Sequence, residues 1–135
     1  GFSILFNIHG PGGILCTIGG VACWVVFWLS QRLGFSEILS YFWASLFASL
    51  YSEIMARIRK YPAISYLLVS AFPLIPGAGV YYTMNFAVRG EMDMFAYRGM
   101  NTAAIAGIMA VGILLGSTVF RMYAQWKSRR MRKKT

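Results

Sequence analysis

Charged side chains are scarce in this sequence of 135 residues, and acidic ones most of all: four Asp or Glu stand against thirteen Lys or Arg. Only 13% of the residues are charged, whereas 58% are hydrophobic, and the mean hydropathy is +0.57. A water-soluble protein of this size covers its surface with polar groups, so the composition excludes a cytosolic enzyme and a disordered chain. It predicts a polytopic membrane protein instead.

Metal ligands and catalytic pairs are also missing from the sequence. It has two cysteines, Cys16 and Cys23, and one histidine, His9. Seven residues of helix separate the cysteines by roughly 10 Å, which is too far for a disulfide, so we interpret both as packing residues. No nucleophile and base, no cluster at metal-ligand spacing and no phosphate-binding glycine loop is present. The sequence therefore predicts no enzyme activity, no metal and no cofactor.

Four long stretches carry no Asp, Glu, Lys or Arg: residues 1–31, 38–52, 61–88 and 99–120. A bilayer core of about 30 Å requires roughly 20 apolar residues per helix. This criterion predicts an all-α membrane bundle of about five transmembrane segments, at residues 1–8, 13–29, 36–56, 62–87 and 99–123. The first is too short to cross alone, so it is predicted to be the end of a truncated helix, followed by a turn at residues 9–12.

The basic residues predict the orientation of the bundle. Arg57, Arg59 and Lys60 lie between the third and fourth segments, and seven of the thirteen bases lie in residues 121–134. Short cytoplasmic loops carry an excess of Lys and Arg, so both regions are predicted to be cytoplasmic and the N-terminus outside. Residues 1–123 form the predicted bundle, and residues 124–135 form a basic cytoplasmic tail. Beside a hydrophobic segment, this tail favours contact with anionic lipid headgroups over nucleic acid.

The fourth segment contains a predicted break at residues 73–79. Pro73 and Pro76 each remove a backbone donor, and Gly77 and Gly79 tolerate positive φ and close approach. Broken helices at membrane depth are tolerated only beside protein or a water-filled cavity. The free N–H groups that begin the second half-helix suit a carboxylate, and transporters bind substrate at such breaks; a proline kink that serves packing is the alternative. The predicted substrate path comprises Pro73, Pro76, Gly77, Gly79, Tyr81, Tyr82 and Asn85.

Small residues recur every four positions in the third and fifth segments. Such stripes let helix backbones approach closely in lipid. They predict either packing within the chain or an interface with another subunit. The packing residues predicted from this pattern are Ala44, Ala48, Ser52, Gly112 and Gly116.

Glu53 is the one carboxylate predicted to lie within the membrane, near the cytoplasmic end of the third segment. It precedes Arg57 by four residues, the spacing of an ordinary helical ion pair. We favour that pair, and ion coupling by Glu53 is the alternative. Glu37 follows Ser36 at the start of the same segment, where a negative charge suits the helix dipole.

Two sequence motifs connect the chain to a known family. Residues 72–77 read FPLIPG and are followed by Tyr81, and Phe6 and Asn7 form an FN motif near the start. With the order of segments, these motifs resemble the small membrane subunit of the bacterial threonine/serine exporter family, the YjjB-like half. The turn at residues 9–12 departs from the pattern, because relatives often carry basic residues there.

The resemblance implies a secondary-transporter subunit of the bacterial inner membrane. It implies export of threonine and serine, or of dicarboxylates such as succinate, together with a larger membrane subunit, and it allows a higher oligomer. Both substrate types carry a carboxylate, in agreement with the half-helix argument. The alternative from another class is a structural subunit that takes no part in transport and assembles a larger complex through the small-residue faces.

Overall fold

The computed structural model describes residues 11–60 and 62–132, which form five α-helices joined by short turns. The helices are α1 (Pro11–Arg32), α2 (Glu37–Arg59), α3 (Ala63–Ala71), α4 (Gly77–Val88) and α5 (Met92–Arg132), with a 3-10 turn (Phe72–Leu74) after α3. The predicted all-α bundle is confirmed. The predicted first segment and the FN motif lie outside the described residues.

The helix ends follow local sequence signals. Residues 11 and 12 lie in helix α1, so the predicted turn at residues 9–12 is wrong for these two residues; residues 9 and 10 lie outside the described part of the chain. Ser36 caps α2, since its Oγ accepts a hydrogen bond from the Leu39 amide at 3.4 Å, and Glu37 lies in the first turn as predicted. Gly34 adopts a φ of +86° in the turn before this cap.

Helix α2 lies at the centre, with α1, α3 and α5 packed around it. The Tyr51 hydroxyl donates to the Leu15 carbonyl at 2.6 Å, and the Phe27 and Tyr41 ring centroids lie 4.6 Å apart, so α1 and α2 are antiparallel. Helices α2 and α5 are parallel. Their basic ends therefore lie at the same end of the bundle, as the charge distribution predicts.

Helices α1 and α5 are long and apolar enough to cross a membrane by themselves, over Gly12–Arg32 and Met92–Lys127. Helices α3 and α4 meet that criterion only as a pair, bent by 57°. Helix α2 has 23 residues but does not meet it, unlike the apolar third segment predicted from the sequence. Glu53 and four buried serines lower its hydropathy, and these serines pack against neighbouring helices: Ser40, Ser45, Ser49 and Ser52.

Helix α5 is longer than the predicted segment at residues 99–123. Its 41 residues extend about 62 Å at 1.5 Å per residue, roughly twice the thickness of a bilayer hydrocarbon core. The helix is continuous through residues 123 and 124, the predicted junction between bundle and tail. The basic part of α5 thus projects beyond the apolar bundle as a helix as far as Arg132.

Candidate functional site

The fourth segment is broken where the prolines predict. After α3 ends at Ala71, a 3-10 turn leads to Ile75, which is extended at φ −60° and ψ 124°, and Pro76 precedes the first residue of α4. The Ile75 amide donates to the Phe72 carbonyl at 3.2 Å. Residues 72–76 separate the half-helices, and two of them, Pro73 and Pro76, have no amide hydrogen. The break predicted from the sequence is confirmed.

Of the two properties that the sequence analysis gives Gly77 and Gly79, the structure uses close approach, and only at Gly79. Both Gly77 and Gly79 lie in the first turn of α4, and the glycines with positive φ in the described chain are Gly34 and Gly90. Neither Gly77 nor Gly79 therefore uses the positive φ that glycine tolerates. Close approach does hold for Gly79, where a Cβ would meet the Thr102 side chain, whereas a Cβ at Gly77 would have nothing within 4 Å.

The break lies near the middle of the bundle. Pro73 packs against Gly20, near the midpoint of α1, since a Cβ on that glycine would lie 3.5 Å from Pro73 Cγ. Leu74 is fully buried in a core cluster that includes Cys23 and Met109. This side of the break is therefore fixed by packing, whereas Ile75 and Gly77 are exposed.

The first turn of α4 presents unpaired backbone donors. Val80 is the first residue whose amide bonds back along the chain in helical fashion, to the Pro76 carbonyl at 3.1 Å. Within the described chain, the Ala78 and Gly79 amides have no hydrogen-bond acceptor. Free N–H groups at the positive end of a helix dipole attract anions, so the site has the donors that a carboxylate requires.

Helix α4 packs chiefly on α5 and buries none of its residues fully. Gly79 faces Thr102, and Gly99 faces Thr83. The threonine hydroxyls donate to carbonyls of their own helices, at 2.7 Å for Thr83 and 2.8 Å for Thr102. An open, mainly apolar groove of about 250 Å³ lies beside this contact.

The structure does not gather all predicted path residues around the break. Tyr81 and Tyr82 lie on the exposed face of α4, with exposed fractions of 66% and 50%, and their rings meet edge to face at 5.5 Å. Asn85 is half-buried farther along α4. The break contains Pro73 and Pro76, and the first turn of α4 contains Gly77 and Gly79. The two tyrosines face away from the side of α4 that α5 covers.

Glu53 pairs with a different arginine from the one predicted. Arg121 Nε donates to Glu53 Oε1 at 3.1 Å, while the Arg57 guanidinium lies over the Phe120 ring, 5.0 Å from its centroid. The predicted pair with Arg57 is wrong, because the parallel packing of α2 and α5 places Arg121 closer. The Glu53 side chain is 11% exposed and that of Arg121 is 69% exposed.

The ion pair lines a polar cleft between α2, α3 and α5. The cleft has a volume of about 130 Å³, several times the roughly 10–15 Å³ that one water requires. We call it the polar cleft after the polar residues Ser49, Ser52, Glu53, Ser117 and Arg121, although apolar atoms supply more of its lining, with Ala63, Ile64, Leu67 and Ile113 among the residues. Sequence reasoning missed Ser117 and Arg121 as parts of a site, because Arg121 was counted with the basic tail.

The register of α2 against α5 identifies Arg121 as the partner of Glu53. A Cβ at Gly112 would meet Ser45, and one at Gly116 would meet Ser49, so the GxxxG motif lies against the small face of α2. One further helical turn brings Arg121 opposite Glu53. Pairing the two small-residue stripes in parallel would therefore have predicted the ion pair.

The small residues lie inside the chain. Ala44, Ala48 and Ser52 are buried, and the GxxxG glycines are covered by α2. The alternatives left open were packing within the chain and an interface with another subunit. In the described structure, these faces are occupied by the chain's own helices.

One known protein family matches most of this chain. The family model described as "Threonine/Serine exporter, ThrE" matches residues 1–119. No curated protein and no solved structure gives a significant match. The family match covers both half-helices, the break and the carboxylate of the polar cleft, and it ends two residues before Arg121.

Proposed function

The chain belongs to the threonine/serine exporter family, and from this premise we propose that it is a subunit of a secondary transporter that exports threonine and serine. Its substrate path runs past the break between α3 and α4. The single observation that carries this assignment is the pair of unbonded amides, Ala78 and Gly79, beside an interrupted helix near the middle of the bundle. These donors suit a substrate carboxylate, and interrupted helices in a membrane suit a transport path.

A larger membrane subunit of the same family is the partner that we propose. Helix α4 is covered on one side by α5, and Tyr81 and Tyr82 lie away from that side with half or more of their surface exposed. An exposed apolar face beside the break provides a surface for a partner that closes the path. Contact with that partner would also bring Tyr81 and Tyr82 into the completed site.

The bacterial inner membrane is the proposed location, with the N-terminus outside and the basic end of α5 in the cytoplasm. The positive-inside rule supports this orientation, because Arg57, Arg59 and Lys60 lie at the same end of the bundle as the basic end of α5. Substrate would then enter at the basic end and leave at the opposite end.

Counterflow of labelled substrate tests the proposal. Proteoliposomes are prepared with this chain, with its candidate large subunit, and with both, and are preloaded with unlabelled substrate. We expect uptake of labelled threonine and serine that requires both chains; labelled succinate tests the dicarboxylate alternative. Absence of uptake of all three, despite a stable and correctly inserted complex, would contradict the transport assignment and favour a structural subunit.

A further inference from the structure

The polar cleft at the basic end of the bundle holds two opposite charges in different environments. The Glu53 carboxylate is nearly buried, whereas Arg121 is largely exposed. Their contact is a single hydrogen bond from Nε, not the bidentate arrangement that Arg and carboxylate favour in tight pairs. In the described residues, the terminal guanidinium nitrogens of Arg121 and the second oxygen of Glu53 have no side-chain partner.

These unpartnered hydrogen-bonding groups of Glu53 and Arg121 are complementary to the ammonium and carboxylate groups of an amino acid. A guanidinium binds a carboxylate through its terminal nitrogens, and a carboxylate accepts hydrogen bonds from an ammonium group. Ser49, Ser52 and Ser117 also line the cleft; their hydroxyl hydrogens are donated to backbone carbonyls, so they offer acceptor oxygens. The volume of about 130 Å³ is small compared with the roughly 300 Å³ or more of sites for drug-sized ligands, so the cleft selects for a small molecule.

We propose that this cleft binds the zwitterionic head of a small hydroxy amino acid, with Glu53 holding the ammonium group and Arg121 the carboxylate. The inference rests on the proposed transport function and adds a loading site to it. Bound substrate competes with the Nε hydrogen bond, so the ion pair opens when substrate arrives and closes after it leaves.

The cleft also lies in a suitable position relative to the break. Ile64 and Leu67 of α3 line it, and Leu67 in turn packs against the core cluster that contains Leu74. Phe72, the first residue after α3, follows Leu67 by five positions, about 8 Å at the helical rise. The cleft therefore lies along α3 on the basic side of the break.

Two analogues of threonine, each with one charge removed, provide the test. Binding of labelled threonine to the complex in nanodiscs is measured in competition with unlabelled threonine, with 3-hydroxybutyrate, which lacks the ammonium group, and with 1-amino-2-propanol, which lacks the carboxylate. We expect threonine to compete at least about tenfold better than either analogue, a difference of about 1.4 kcal/mol.

Glu53→Gln is the decisive variant. It removes the partner of the ammonium group and frees Arg121, so the preference for threonine over 3-hydroxybutyrate should fall by about tenfold or more (~1.4 kcal/mol). Glu37→Gln is the matched control, because it makes the same change in an exposed residue of the same helix, and it should leave the preference unchanged. An equal loss of affinity for both ligands, or no change in their ratio, would overturn the proposal.

A second variant covers the case in which Glu53→Gln does not fold. Ser117→Leu fills the cleft without altering either charge, and Ser117 donates only to the Leu114 carbonyl of its own helix. We expect it to weaken threonine binding by at least about tenfold (~1.4 kcal/mol), and unchanged binding would overturn the proposal. If the wild-type complex transports threonine while both variants bind threonine as the wild type does, the cleft assignment fails and the transport assignment stands. Absence of transport by the wild-type complex contradicts the transport assignment.

Discussion

Gly77→Leu is expected to abolish threonine transport while the protein still inserts and remains folded. Gly77 begins α4 directly after the break, and a Cβ there meets nothing within 4 Å. The leucine side chain therefore fits without disturbing the bundle, but it occupies space beside the unbonded amides. We expect counterflow to fall to the background of protein-free liposomes, a loss greater than about tenfold (~1.4 kcal/mol). Pro76→Ala should also abolish transport, because it restores a backbone donor within the break.

Gly112→Leu is the matched control for Gly77→Leu. It introduces the same side chain at a glycine whose Cβ would meet Ser45 and the Phe42 carbonyl. Overpacking of this kind costs about 1–3 kcal/mol, so the control should lose thermal stability in detergent where Gly77→Leu does not. Full transport activity in both Gly77→Leu and Pro76→Ala would remove the break from the mechanism.

Arg121→Gln is expected to destabilise the bundle much more than Glu53→Gln. Loss of the arginine leaves a carboxylate that is only 11% exposed without its partner, whereas loss of the carboxylate leaves an arginine that is 69% exposed and whose long side chain reaches toward the membrane interface. A hydrogen bond to a charged group contributes about 1.5–3 kcal/mol, and we expect Arg121→Gln to lower the free energy of unfolding by about this amount. Chemical denaturation in mixed micelles measures it.

The double variant and a nearby arginine provide the controls for this prediction. Combining Arg121→Gln with Glu53→Gln removes the unpaired charge, so the double variant should be more stable than Arg121→Gln alone, with a coupling energy of ~0.5–3 kcal/mol. Arg57→Gln removes a cation–π contact with Phe120 and should cost only about 0.5–1 kcal/mol. A larger loss from Arg57→Gln than from Arg121→Gln would contradict the observed pairing.

The break could be predicted from the sequence because its cause is local. Pro73 and Pro76 prevent helical hydrogen bonds wherever they occur in the chain, and the half-helices end close to the predicted residues. The role of Gly79 was not predictable in the same way. Its missing side chain allows α5 to approach at Thr102, and that contact depends on how two distant segments pack.

The partner of Glu53 is a tertiary feature. Spacing alone favoured Arg57, because residues four apart on a helix are neighbours. The parallel packing of α2 and α5 overrides this preference and brings Arg121 within 3.1 Å. The buried serines of α2 also find partners that the sequence does not show: Ser49 donates to the Ile113 carbonyl of α5 at 2.8 Å, whereas Ser52 donates to the Ala48 carbonyl of its own helix.

Substrate protection of a cysteine at Gly77 tests the central claim, that substrate passes the break. Gly77→Cys is introduced into the complex and treated with a membrane-impermeant maleimide in the presence and absence of threonine. The native Cys16 and Cys23 are fully buried and should not react. The control is Gly107→Cys, at another glycine where a Cβ meets nothing within 4 Å. The account predicts that threonine slows labelling at Gly77→Cys and leaves the control unchanged. Equal labelling rates at Gly77→Cys with and without threonine, in a complex that transports it, would contradict the account.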